Sequence, residues 1–267
     1  MKARGKTRSA GAAAGAATRN LHLIALGGIP EVLPGDNLAT IILSSAGNQR
    51  FRFQDGDVLV IAQKIVSKAE GSLVRLSKIQ PSVRARSIAR KLKKDPRLIE
   101  TVLQQSRRIV RCGPTVLITE TRHGFVCANA GVDQSNVSET DLVTVLPTAP
   151  DRSARKLAAA LRLRTGKRIG VIISDTFGRA WRLGQTNVAI GASGVPVLRD
   201  LRGASDRNGR RLHATILATA DDIAAAAGLL MDKAQGTPVV IVRGLKFKTA
   251  NQPASTIIRP ANEDLFR

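Results

Sequence analysis

This chain contains no tyrosine, one tryptophan and six phenylalanines, so aromatics amount to only 3%. Its core must therefore be assembled from Val, Ile, Leu and Ala. Few aromatics also leave few platforms on which the bases of single-stranded nucleic acid could stack. Cysteine is as scarce: Cys112 and Cys127 make no disulfide framework and form no CxxC pair. That usage points to a reducing, cytoplasmic compartment. No apolar run reaches the length of a membrane span. There is no GxxxxGK[ST], since the run from Thr165 to Arg168 lacks both the first glycine and the hydroxyl residue. A GxGxxG fingerprint is also absent. His22, His123 and His213 form no HExxH, and no serine occupies a GxSxG elbow. Catalysis, if present, falls to metal ions, electrostatics and positioning rather than to a covalent nucleophile.

Acidic residues are in deficit. Against 42 Lys+Arg there are 20 Asp+Glu, a formal charge of +22. Such a field attracts nucleic acid, acidic membrane or small phosphorylated substrates. Two classes stay open: an enzyme acting on a multiply anionic small substrate, and a basic nucleic-acid-binding protein with no catalytic metal.

At 267 residues the chain can form one large domain or two small ones. Residues 1–20 (MKARGKTRSAGAAAGAATRN) are basic, Ala/Gly-rich and without an apolar signal core, which predicts a disordered tail ahead of a functional domain at 21–267. A strand at 21–26 leads into the turn Gly27-Gly28-Ile29-Pro30-Glu31. A second strand at 57–63 (DVLVIAQ) runs into Lys64 and Lys68, four apart. Helices are expected at 81–94, with Val83, Ile88 and Leu92 on one face, and at 96–108, with Leu98, Val102, Leu103 and Ile109 inward. Asp95-Pro96 supplies the N-cap and N1 of the second. The basic face from Arg84 to Lys94 reads as solvated. A hairpin joins 115–120 to 124–128. Asp133 and Asn136 follow in a Gly-containing turn, either as an Asx pair or as two oxygens for one ligand. A capped helix at 151–164, a strand at 211–219, a helix from Asp221 or Asp222 through Lys233 stopped by Gly236, and a strand at 239–242 complete the reading. Hairpins and clustered helices, rather than strict βαβ alternation, predict an α+β fold with mixed, largely antiparallel sheets and flanking helices.

The stretch 169–200 organises the rest. Its apolar run IGVII ends in Ser174-Asp175-Thr176, hard oxygen donors of the kind Mg²⁺ or Mn²⁺ prefer. Arg179 and Arg182 carry fixed charge suited to phosphate or carboxylate. Gly178, Gly184, Gly191 and Gly194 allow backbone amides close to a ligand. Taken alone, these features describe an Asx turn with solvated arginines. The longer string SDTFGRAWRLGQTNVAIGASGVPVLRDLRG, however, closely resembles the signature of coenzyme F420-0:L-glutamate ligases, the γ-glutamyl ligases of F420 biosynthesis. GDVLVIAQKIVSKAEG, TRHGFVCANAGVDQSNV and PVVIVRGL match the same family in the same order, so the resemblance spans roughly 21–245.

The resemblance implies a two-lobed subunit in a homodimer, with a nucleotide groove near the interface. It implies GTP, F420-0 and L-glutamate as substrates, with no membrane or nucleic-acid partner. It implies Mg²⁺ or Mn²⁺ at two sites and admits K⁺. Asp133, Asp175 and Thr176 become metal ligands, and Asp133, Asp175 and Lys68 the catalytic set. The nucleotide falls to Gly27, Gly28, Ile29, Pro30, Gln63, Lys64, Lys68 and Asn136. A loop wraps it, made of Met231, Asp232, Lys233, Ala234, Gln235, Gly236, Thr237 and Pro238. Lys233 stands near the place of an acidic or amide metal ligand, so this loop does not visibly complete the second site.

Overall fold

In the computed structural model, residues 20–135, 141–231 and 236–264 are described. The tail reading at 1–20 thus lies outside them except for Asn20. The elements run β1 (His22–Ala25), α1 (Leu38–Asn48), β2 (Val58–Ala62), α2 (Gln63–Ala69) and β3 (Leu73–Arg75). There follow α3 (Val83–Leu92), α4 (Pro96–Gln104), β4 (Ser106–Cys112), β5 (Leu117–Thr121), β6 (Val126–Ala128) and β7 (Leu142–Thr144). The second half holds α5 (Pro150–Thr165), β8 (Gly170–Arg179), β9 (Arg182–Ser193), β10 (Arg199–Asp200), β11 (Ile216–Leu217), α6 (Thr219–Gly228) and β12 (Val239–Arg243). Among the described residues no helix is long and apolar enough to cross a membrane.

The three runs with unbroken β-branched and Leu content, β2, β8 and β12, are buried on both faces, as such runs require. They form the centre of a five-stranded sheet in the order β1-β12-β2-β8-β9. Only β2 and β8 pair in parallel; every other pairing is antiparallel. Helices α1, α5 and α6 contribute to the large core around this sheet. Gly191 on β9 is set by that packing: a Cβ there would meet the backbone carbonyl carbon of Pro150 at 2.5 Å, so the position admits α5 rather than a ligand. A second, smaller core gathers Ala85, Ala89, Ile99, Val102 and Leu117 from α3, α4 and β5, beside the antiparallel sheet β4-β5-β6. The mixed, mostly antiparallel α+β fold is as the sequence led one to expect.

Asp57, 1% exposed, is held by Arg243 in a two-point pair, Nε to Oδ1 and Nη2 to Oδ2 at 2.8 Å each. Arg243 also stacks 4.9 Å over Phe51. This ties the start of β2 to the end of β12.

Several local expectations fail for physical reasons. The helix predicted to reach 108 stops at Gln104, and Ser106–Cys112 becomes β4, because pairing with β5 satisfies that backbone better than another helical turn. Ile109 therefore lies in a strand. Val83 is 85% exposed, and Ala85, Ala89 and Leu92 are the buried face of α3. The expected strand at 211–219 shrinks to Ile216–Leu217. Helix α6 begins at Thr219 and ends at Gly228, well before Lys233, with no side-chain cap from Asp221 or Asp222. Asp221 instead accepts from the Ala189 amide at 2.9 Å, serving the sheet edge. The α5 cap fails likewise: Asp151 Oδ1 accepts from the amides of Ala192 and Ala254.

Candidate functional site

The site is built around the end of β2. Its last residue, Ala62, pairs with Ser174 of β8, and the chain then turns directly into α2. Strand β8 does not stop there, contrary to expectation. It continues to Arg179 because β9 keeps supplying hydrogen bonds, with Asp175 opposite Val188 and Thr176 opposite Asn187. Beyond Ser174, however, β2 no longer flanks it. Asp175 and Thr176, both half-buried, thus line a notch at the head of α2. Gln63, expected as a strand residue, is the first residue of α2 and is buried, its Oε1 accepting from Ser67 Oγ at 2.8 Å.

Spaced four apart, Lys64 and Lys68 share one side of α2. Lys64 Nζ reaches Asp133 Oδ2 at 2.7 Å, Ser135 Oγ at 2.6 Å and the Ser135 carbonyl at 2.8 Å. Lys68, 6% exposed, reaches Glu31 Oε1 at 2.5 Å. One short helix thereby gathers the turn after β1 and the turn before β7. The first turn is fixed from α1, where Ser45 Oγ and Gln49 Nε2 donate to the Gly27 carbonyl. The second is fixed by Asp133, whose amide and carbonyl bond with Thr144. Its approach is strained: Asn129, Ala130 and Gly131 all have positive φ, at 51°, 53° and 71°. Left-handed non-glycine residues cost about 1–3 kcal/mol each and concentrate at functional sites.

Charge follows from this geometry. Burial pushes the Asp133 carboxyl up, but hydrogen bonds from Lys64 and Ser135 and the Lys64 charge outweigh it and hold the group below the usual carboxylate range. Asp133 is therefore an anion at neutral pH. On the other wall, burial and then the Asp175 carboxylate push the Cys127 thiol up to about 12. Strands β6 and β8, which carry Cys127 and Asp175, pack against each other. Native protein at pH 8 is accordingly expected to react with a thiol reagent at exposed Cys112 alone, and unfolded protein at both cysteines. Rapid labelling of both thiols in the native state would contradict this account of the wall.

Met231 packs against β8 and β9, meeting Ser174 beside Asp175 in sequence: Asn187 Nδ2 lies 3.2 Å and Ser174 Oγ 3.8 Å from its sulfur. Thr176 Oγ1 donates to Asn187 Oδ1 at 3.0 Å. Farther along, Thr237 Oγ1 donates to the Leu230 carbonyl, and the Pro238 carbonyl accepts from the Ala62 amide. Both ends of the 231–238 loop thus sit at the head of α2. Segments far apart in sequence converge here on one arrangement of hard oxygens and two lysines.

A sequence profile of F420-0:gamma-glutamyl ligase matches residues 28–244. The chain belongs to this family. It is a ligase. It is 50% identical over 242 residues to the coenzyme F420:L-glutamate ligase of Methanopyrus kandleri, covering 89% of this chain and 94% of that protein. To the protein of the same name from Methanothermobacter thermautotrophicus it is 44% identical over 250 residues, covering 92% and 99%. The Archaeoglobus fulgidus counterpart is 43% identical over 241 residues, covering 90% and 94%.

Within this γ-glutamyl ligase, Gly27, Gly28, Ile29, Pro30, Gln63, Lys64, Lys68, Asp133, Asp175, Thr176, Met231, Gly236, Thr237 and Pro238 all lie on segments that meet at or border the notch. Asn136, Asp232, Lys233, Ala234 and Gln235 lie outside the described residues. Arg179 and Arg182, whose charge suits phosphate or carboxylate, pair with each other at the exposed tip of the β8–β9 hairpin. The sequence reading missed Glu31, Ser135, Asn187, Ser45 and Gln49 as partners of the site. Glu31 and Ser135 stood inside segments already singled out, next to Pro30 and Asp133, and that adjacency was the available signal. Ser45 and Gln49 gave none, because α1 carries no motif.

Proposed function

We propose that this ligase joins L-glutamate to F420-0 by an amide bond, with GTP as phosphoryl donor, and that the notch at the head of α2 is where it does so. The observation that supports this most is the convergence on α2. Lys64 and Lys68 stand between two turns, on a helix that packs against β8, the strand carrying Asp175 and Thr176, a setting for a triphosphate and its cation. In the proposed reaction the γ-phosphoryl passes to a carboxylate oxygen of F420-0, and its bond to the β-phosphate oxygen breaks to leave GDP. The glutamate amine then attacks the acyl carbon. A C–N bond forms, the C–O bond to phosphate breaks, and the amine gives up a proton. Phosphoryl transfer of this kind depends on positioning and charge neutralisation.

A hard divalent cation fits the donors. Among the described residues no group of three or more His, Cys, Asp or Glu side chains could hold a metal alone. Asp133, Asp175 and Thr176 offer two carboxylates and a hydroxyl, the sparse protein share that Mg²⁺ takes when phosphates and water fill the rest of its shell. When bound, such an ion neutralises phosphate oxygens. Lys68 is buried enough for its ammonium to act in a low dielectric, Lys64 keeps Asp133 oriented, and the loop at 231–238 covers the nucleotide. F420-0, glutamate, GTP and Mn²⁺ incubated with the chain are expected to yield a product heavier by one glutamyl residue, read by mass spectrometry. Unchanged F420-0 under those conditions, with intact folded protein, would overturn the assignment.

The reading includes a homodimer. Its support is the tip of the β8–β9 hairpin, where Trp181 is 80% and Leu183 99% exposed, apolar side chains that a partner surface would cover. Sedimentation at micromolar concentration is expected to show a dimer that Leu183→Glu dissociates; a monomer in the unmodified chain would refute it.

A further inference from the structure

We propose that a second anion site lies between the β4–β5 edge and the C-terminal segment, shaped for a small organic polyanion bearing phosphate or carboxylate groups. A cavity of about 540 Å³ opens there, lined among others by Arg107, Arg108, Glu120, His123, Ile258 and Arg259. That size falls within the ~300–1,000 Å³ typical of small-molecule sites. None of these residues belongs to the notch around α2, and the proposal stands independently of the ligase reading.

A β-bulge produces the charge. Neighbouring strand residues ordinarily point to opposite faces, but the β4–β5 register shifts between Ser106 and Arg108. Arg107 and Arg108 consequently both reach Glu120, Arg108 Nε at 2.8 Å and Arg107 Nη1 at a looser 3.6 Å. One carboxylate can neutralise only one guanidinium. Arg107 therefore keeps donors for a ligand, and Arg259 brings a further cation from the opposite wall. Guanidinium forks suit phosphate and carboxylate oxygens alike.

His123 adds a built polar group. Its Nε2 lies 3.2 Å from the Thr148 carbonyl, which can only accept, so Nε2 carries the hydrogen. Its Nδ1 is buried and has no hydrogen-bond partner among the described residues.

The opposite wall is firmly seated. Gln252 Oε1 accepts from the amides of Val197 and Leu198, the Ala254 amide donates to Asp151, and Ala254 is fully buried. Gly124 leaves room in the floor: a Cβ there would sit 3.1 Å from Ile258 and 3.5 Å from Arg107. The family match ends at residue 244, so Ile258 and Arg259 form a wall beyond it.

The test is calorimetric titration of the full chain, without divalent metal, with pyrophosphate and separately with γ-L-glutamyl-L-glutamate. One of the two is expected to bind, and which one does distinguishes a phosphate from a carboxylate ligand. Arg259→Ala and Arg107→Ala, both at exposed side chains, are each expected to weaken that binding at least ~10-fold, whereas Arg90→Ala on α3 leaves it unchanged. Absence of binding by both anions overturns the proposal. So does binding that survives both arginine replacements, since it would belong elsewhere.

Discussion

Asp175→Ala is expected to abolish glutamate transfer, by at least ~10³-fold in kcat, while the protein stays folded. That size is the upper end of what one preorganised electrostatic group contributes, and here the group would also carry the cation. The fold is expected to survive because Asp175 is only half-buried and its backbone remains in the β8–β9 ladder opposite Val188. Among the described residues the Asp175 carboxylate accepts from the Thr176 amide at 2.8 Å, a bond worth about 1 kcal/mol. Product formation in Mg²⁺ and in Mn²⁺, together with a melting curve, checks both halves. Normal turnover in either metal would remove Asp175 from the reaction. Asp133→Ala is expected to behave similarly, with one added consequence: Lys64 would lose its carboxylate partner.

Lys68→Ala is expected to cost about 10²-fold or more in kcat/KM for GTP, through a higher KM and a lower kcat together. The competing explanation is structural, because Lys68 also holds Glu31 and with it the turn after β1. Glu31→Gln separates the two. Glu31 is largely exposed, with a side chain 64% accessible, so losing its charge costs little if Lys68 works on the nucleotide. Equal losses in Lys68→Ala and Glu31→Gln would mean that Lys68 serves only to hold the turn. Kinetics at sub-saturating GTP that do not change in Lys68→Ala would exclude both roles.

The legible parts of this molecule were those whose cause is local. Continuous apolar runs marked β2, β8 and β12, because a strand covered on both faces has no polar side to display. Asp95-Pro96 marked the start of α4, and its side chain does accept from the Arg97 amide. The helix expected at 151–164 ends as α5 at Thr165, capped by Gly166 at φ 69°. Where local preference was weak, pairing decided instead. Residues 106–112 carry a pattern that continues a helix as readily as it fills a strand, and only β5 alongside settles which. The full length of β8 was hidden for the same reason: Ser174-Asp175-Thr176 looks like a strand end until β9 is laid against it.

By itself, then, the sequence determined the buried strands, the excess of positive charge and the family, since long contiguous strings carry those signals without reference to distance in space. The tertiary structure alone decided which cation meets which anion. Lys68 finds Glu31 across 37 positions and Arg243 finds Asp57 across 186. No local preference encodes such pairs. They exist because β2 hands the chain directly to α2 beside the unflanked end of β8, where two turns can meet two lysines.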